Sequence, residues 1–206
     1  MPFFFSSNSV NFDENEFIAG GSDYGSDSIN SLDINWSGGK ILIVESDEKK
    51  LYFKENVHGE KITDEQKIHW CINGKKLFIT YTKPGVTITN SLVKNLSLCV
   101  PKKLKYASFN VVNSSINYKK ITVEKIDTNN VNSNLELEFL DCKKLNVSGV
   151  NSEINFVLHE NLGAKINLSG ISGGFLGDRE EKYGKGKLKV NISGVNIKYK
   201  VVIEKI

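Results

Sequence analysis

Four lysines hold matching places in a repeating pattern. Lys125, Lys144, Lys165 and Lys189 each stand immediately before the apolar residue that opens a short β-type segment. Cations at one position of a repeat stack on a single exposed face. Such a stripe can hold an anionic polymer or an acidic partner by salt-sensitive attraction. It can also serve as a solvated face that discourages aggregation. These four are the candidate binding residues.

Other reactive residue types are scattered. His58, His69 and His159 are far apart, and none has a second histidine at metal-ligand spacing. His159-Glu160 is a conceivable acid–base pair with no nucleophile or orienting group beside it. Glycoside hydrolysis needs two close carboxylates. Glu136, Glu138 and Asp141 share one repeat, but the equivalent positions carry Asn117, Lys119 and Thr122 before it and Asn155, Val157 and Glu160 after it. Cys71, Cys99 and Cys142 are odd in number and sit in apolar context, which suits small core residues better than disulfides or zinc ligands. The Gly177–Lys185 stretch has the wrong glycine spacing for a phosphate loop, and Gly186 follows its lysine where Ser or Thr is needed. No catalytic residue, metal or cofactor is assigned, and the chain is not read as an enzyme.

The element that must position the lysines is a repeat. Asn113-Ser114-Ser115-Ile116-Asn117-Tyr118 recurs 19 residues later at Asn132 and 19 later again at Asn151. A fixed period near 20 residues with β-type patterning implies a solenoid of stacked coils. Strands are expected before each motif, at 107–112, 126–131 and 145–150, with looser copies at 166–171 and 190–195. One column reads Phe109, Thr128, Val147, Leu168, Ile192; a second Val112, Val131, Val150, Ile171, Val195; a third Ile116, Leu135, Ile154, Phe175, Tyr199. All three are expected to face inward as apolar ladders. Asn113, Asn132 and Asn151 share one position, and Asn146, Asn167 and Asn191 another, where side-chain amides can bond from coil to coil. Ser148-Gly149, Ser169-Gly170 and Ser193-Gly194 mark a corner that needs glycine. This corner-and-ladder role explains the Asn-x-Ser triplets better than glycosylation does.

The expected fold is all-β, a right-handed single-stranded parallel β-helix with a less regular N-terminal capping region. Residues 1–31 read as a flexible lead-in with a short capping strand near 15–19, and 32–206 as the solenoid domain. Thr63-Asp64-Glu65-Gln66 is expected to cap a helical turn. The longest interval, with Gly177–Lys185, is expected to bulge as an outward loop. Trp36 and Trp70 fall in apolar stretches and read as core. A net charge of +3 and a single arginine, Arg179, argue against nucleic acid. No apolar run reaches the roughly 18 residues of a membrane span. The start, Met1-Pro2-Phe3-Phe4-Phe5-Ser6, lacks the regions of a signal peptide.

The order of Leu32–Ile43, Asn73-Gly74-Lys75-Lys76-Leu77-Phe78-Ile79, Leu96-Ser97-Leu98-Cys99-Val100-Pro101 and then the Ser-Gly repeats resembles the bacterial putative-adhesin family. Tyr183–Val190 resembles that family's last coil, so the likeness runs from about residue 29 to the end. It implies a β-solenoid with an envelope or surface role, and it brings no catalytic residues. The partner it implies is an anionic envelope polymer or another protein. A true start at Met1 would place the chain in the cytoplasm instead, as a scaffold or sensor-accessory protein. A carbohydrate-active β-helix enzyme ranks third.

Overall fold

Short apolar–polar alternations punctuated by Asn and Gly fold, among the described residues, as fourteen strands in one continuous sheet. The computed structural model describes residues 16–25, 29–46, 50–57, 61–86, 92–102, 104–172 and 175–205. Residues 1–15, His58 and the side chains of Ile171 and Phe175 lie outside the described residues.

Five stretches make the regular body: β3 (Ser31–Ser46), β8 (Tyr106–Ile121), β9 and β10 (Lys125–Val131 and Asn134–Phe139), β11 (Lys144–His159) and β14 (Leu188–Glu204). Each is one coil bent in the middle, with its first half on one ladder and its second half on another. All contacts between these coils are parallel. Because β8 and β11 run through both ladders, β8, β9, β11 and β10 close into a ring of parallel pairs. The ladders pack on each other across the core, where the Phe109 and Tyr118 rings meet edge-on at 6.3 Å.

The bend has a local cause. Asn113, Asn132, Asn151 and Asn196 sit at φ of 49°, 49°, 51° and 53°, a left-handed conformation that Asn tolerates better than most residues. The following serine ties the bend: Ser114, Ser133 and Ser152 donate from Oγ to the carbonyls of Val112, Val131 and Val150 at 2.7, 2.8 and 3.2 Å. In the first coil Gly38, at φ 86°, takes the place of the Asn.

Two columns face inward, with Leu168 and Tyr199 only half-buried. Phe175 is not part of the third, since its strand pairs antiparallel with Ala164–Ser172 on the first ladder and sets it opposite Ser172. Phe109, Thr128, Val147 and Ile192 are all buried, as are Ile116, Leu135 and Ile154. The second column does not face inward. Val150 and Val195 are 41% and 46% exposed, and Val112 and Val131 are only half-buried. The reason is the two-residue period: Phe109 and Val112 are three positions apart, so they point to opposite faces of one strand. The inward neighbour of each valine is instead Val111, Asn130, Gly149 or Gly194. At Gly194 only glycine fits, because a Cβ there would lie 1.9 Å from the Gly149 carbonyl oxygen.

Both ends depart from a simple coil. At the start, β5 (His69–Asn73) and β6 (Lys76–Thr80) form an antiparallel hairpin whose β6 lies parallel to the first half of β3. On the other ladder β7 (Lys94–Pro101) runs parallel to β3 and antiparallel to β4 (Lys50–Val57). Short strands β1 (Ile18–Ala19) and β2 (Ser22–Gly25) pair with β5 and β4. A 3₁₀ turn spans Asp64–Gln66, with Gln66 Oε1 accepting the Thr63 N–H at 2.9 Å. Both tryptophans are buried, Trp36 edge-on to Tyr81 and Trp70 to Phe53.

At the far end, β12 (Ala164–Ser172) and β13 (Phe175–Tyr183) form a second antiparallel hairpin. The expected outward loop at 177–185 is therefore strand as far as Tyr183. Glycine and charge in this stretch reflect an edge position, where charged side chains guard unpaired backbone. Coil order also differs from chain order. β14 lies between β11 and β12, parallel to both, so the chain passes over one place and returns to fill it.

Candidate binding surface

The lysine column is real, with its order rearranged. Cross-strand register runs Lys125, Lys144, Lys189, Lys165 and then Lys182 on β13. β14 intervenes between β11 and β12, which is why Lys189 precedes Lys165. Tyr106 occupies the same column before Lys125.

The lysines differ in what neutralises them. Lys125 Nζ is 2.7 Å from Asp127 Oδ2 and 5.2 Å from the centre of the Tyr106 ring. Tyr106 Oη also donates to Asp127 Oδ2, at 2.8 Å, and burial, reinforced by this carboxylate, pushes the phenol up to about 12. Asp127 is held below the ordinary aspartate range. Partial burial opposes this, but hydrogen bonds from Lys125, Asn146 and Tyr106 outweigh it. Lys165 pairs with Glu180 at 2.9 Å. Lys144 and Lys189 are exposed register partners, and neither ammonium has an acidic partner among the described residues. The unneutralised charge of the column thus lies on these two neighbours and on Lys182 at its end.

Amide ladders support this face. Asn146 donates to Asp127 at 2.6 Å, Asn191 to Asn146 at 2.8 Å and Asn167 to Asn191 at 3.0 Å. A parallel chain runs from Asn129 to Asn110 to Asn35. These contacts fix the strands that carry the lysines, so the column stands on a rigid base.

A second feature lies at the corners. An open groove of about 710 Å³ follows Asn113, Asn132, Asn151 and Asn196, rimmed by Lys40, Glu153 and Lys198. The four amides bond in series at 3.1, 3.2 and 2.8 Å. Each therefore directs its donor and acceptor along the stack, which makes the groove a structural seam first.

The other reactive residues are kept apart. His69 is buried with Nδ1 2.9 Å from the Lys67 carbonyl, and His159 Nε2 is 3.8 Å from Glu138. Cys71 and Cys142 are buried, which pushes their thiols up to about 11 and about 12, away from nucleophilic chemistry. No cluster of potential metal ligands occurs among the described residues, and none of their helices is long and apolar enough to cross a membrane.

One cluster escaped the sequence. Lys94 has no exposure; its Nζ is 3.1 Å from Glu55, donates to the carbonyls of Gln66 (2.7 Å) and Tyr81, and stacks over the rings of Tyr81 and Trp36. Burial lowers its proton affinity, and Glu55 acts in the opposite sense. The group bolts β4, the 3₁₀ turn and β7 onto β3. No periodicity links residues so far apart in the chain, so no local signal marks them.

No family model matches the chain, and no curated protein matches it. Among solved structures it is similar to a putative cell adhesion protein from Clostridium sporogenes, with 17% identity, 91% of this chain and 100% of that one covered, and a TM-score of 0.66. Looser likenesses are a putative adhesin from Bacteroides fragilis, at 10% identity over 93% and 98% of the two chains and a TM-score of 0.37, and one from Parabacteroides merdae, at 14% over 93% and 92% and 0.35. The Clostridium sporogenes protein shares the fold along nearly the whole chain.

Proposed function

We propose that this chain is a non-enzymatic binding module of the adhesin type, a right-handed β-solenoid spanning residues 32–206 with residues 1–31 as lead-in and cap. Right-handed winding is the overwhelming preference for parallel crossovers. The resemblance of residues 29 onward to the putative-adhesin family, and the shared fold with an adhesion-type protein, support an envelope or surface setting.

The function is to meet an anionic polymer, such as a polyglycerol-phosphate chain, along the lysine column. The observation that carries this reading is the direct opposition of Lys144 and Lys189 on adjacent strands, with Lys125 and Lys165 flanking them. Like charges opposed in this way cost up to about 1 kcal/mol. A polymer with regularly spaced phosphates would convert that repulsion into attraction. Lysine suits the role, since it acts as a point charge and needs no fixed fork geometry.

The test is retention on immobilised polyglycerol phosphate. Wild type should be held at low salt and released toward physiological salt, where the screening length falls to about 8 Å. Lys144→Glu with Lys189→Glu should abolish retention while leaving the melting temperature intact, because both side chains are exposed. Equal retention of the double variant would return the column to a solvated face.

A further inference from the structure

The end of the solenoid is guarded unequally. On the first ladder the last strand is β13, whose Arg179, Glu181 and Tyr183 share register columns with core residues of β12. Arg179 pairs with Glu181 at 2.7 Å, and Tyr183 Oη donates to the same carboxylate. Inward-pointing charge of this kind stops a sheet from growing. On the second ladder the last strand is the second half of β14, Ile197–Glu204. From Lys198 to Glu204 it pairs with β11 on one side, and no strand among the described residues covers its other side.

That uncovered edge exposes apolar side chains among charged ones. Val202 and Ile203 are 38% and 42% exposed, whereas Leu158, the register partner of Ile203, is buried. The backbone direction follows from one bond. Glu160 N–H donates to the Glu204 carbonyl at 3.1 Å, so the even-numbered residues turn their backbone polar groups toward β11. Tyr199, Val201 and Ile203 therefore present theirs to the open side.

We infer that this edge is an interaction surface for a second copy of the chain, joined antiparallel about a two-fold axis at Val201. Two observations select this occupant. The register puts Val201 against Val201 and Tyr199 against Ile203, with every outward N–H facing an outward carbonyl. It also sets Lys198 opposite Glu204 twice, once in each half. Parallel in-register pairing of the same edge would instead oppose Lys198 to Lys198 and Lys200 to Lys200. An isologous contact closes on itself, so the product is a dimer. This inference stands independently of the lysine column, and it would give an adhesin two copies of that column.

Sedimentation equilibrium over a series from micromolar to near-millimolar protein tests it. Wild type should pass from monomer to dimer and no further. Val201→Pro removes the N–H that bonds the partner and leaves the β11 ladder intact. It should weaken dimerisation about tenfold to a hundredfold, the loss expected for two backbone hydrogen bonds. Lys198→Glu should also weaken the dimer, and adding Glu204→Lys should restore it. A wild type that stays monomeric, one that grows beyond dimer, or charge-swapped chains that do not recover would each overturn the inference. If Val201→Pro perturbs folding, as circular dichroism would reveal, the charge-swap pair decides alone.

Discussion

Single side chains at the bends set the geometry of every coil. An alanine forced into the left-handed region pays roughly 1 kcal/mol there. Asn132→Ala also breaks the amide bonds to Asn113 and Asn151. Chemical denaturation should show a loss of about 1–3 kcal/mol. Asn132→Gly should lose less, since Gly38 already serves at this position in the first coil. Asp127 gives a pH signature. Its folded value lies below the ordinary 3.8. Its stabilisation is therefore fully present above that pH and is lost as pH falls through the folded value. Melting curves from pH 6 downward should show wild type losing its advantage over Asp127→Asn only below about pH 4. An unchanged gap in that range would mean that Lys125, Asn146 and Tyr106 do not favour the carboxylate. The buried Lys94 makes a third case. Lys94→Ala strands Glu55 without its cation and should cost about 3–5 kcal/mol. Lys94→Met combined with Glu55→Gln should recover much of that loss in the same denaturation assay.

Strands obey their two-residue period more strictly than apolar character suggests. Val147→Asp buries an unpaired charge and should leave the protein unfolded or aggregated, at a cost of several kcal/mol. Val150→Asp, on the opposite face, should stay soluble and melt within a few degrees of wild type. Gly194→Ala should be as damaging as Val147→Asp, because its Cβ would enter the Gly149 backbone. Much of this was legible beforehand. The 19-residue recurrence gave the coils, the Asn positions gave the bends, and the lysine positions gave a true column. The valine column misled because hydrophobicity alone does not report which face a residue occupies; counting positions from Phe109 does. The hairpin at β12 and β13 was hidden for another reason. An antiparallel return strand at an edge carries charges, and in sequence a charged strand resembles a loop.

Across the described residues, parallel coils form the middle, antiparallel pairs cap the start on both ladders, and the β12–β13 hairpin caps the far end on the first ladder alone. A chain stopped after Tyr183 would lack β14 and leave β11 and β12 without their shared neighbour. It should be insoluble or bind hydrophobic dyes, and a soluble, cooperatively melting fragment would show that the hairpin can dock on β11 by itself. The local sequence held no sign of this interleaving, because Lys144 has equal claim to Lys165 or Lys189 as a partner until the three-dimensional packing decides. The passing-over of one place by the chain also imposes a schedule. Delivered from its N-terminus, whether by a ribosome or through a pore, the chain can wind its early coils as they emerge, yet β12 and β13 arrive with nothing to rest against. Only when residues 188–204 follow does the wedge between β11 and β12 fall into place. The fit between β11 and β12 thus waits on residues 188–204, and until they arrive β11 keeps an open edge.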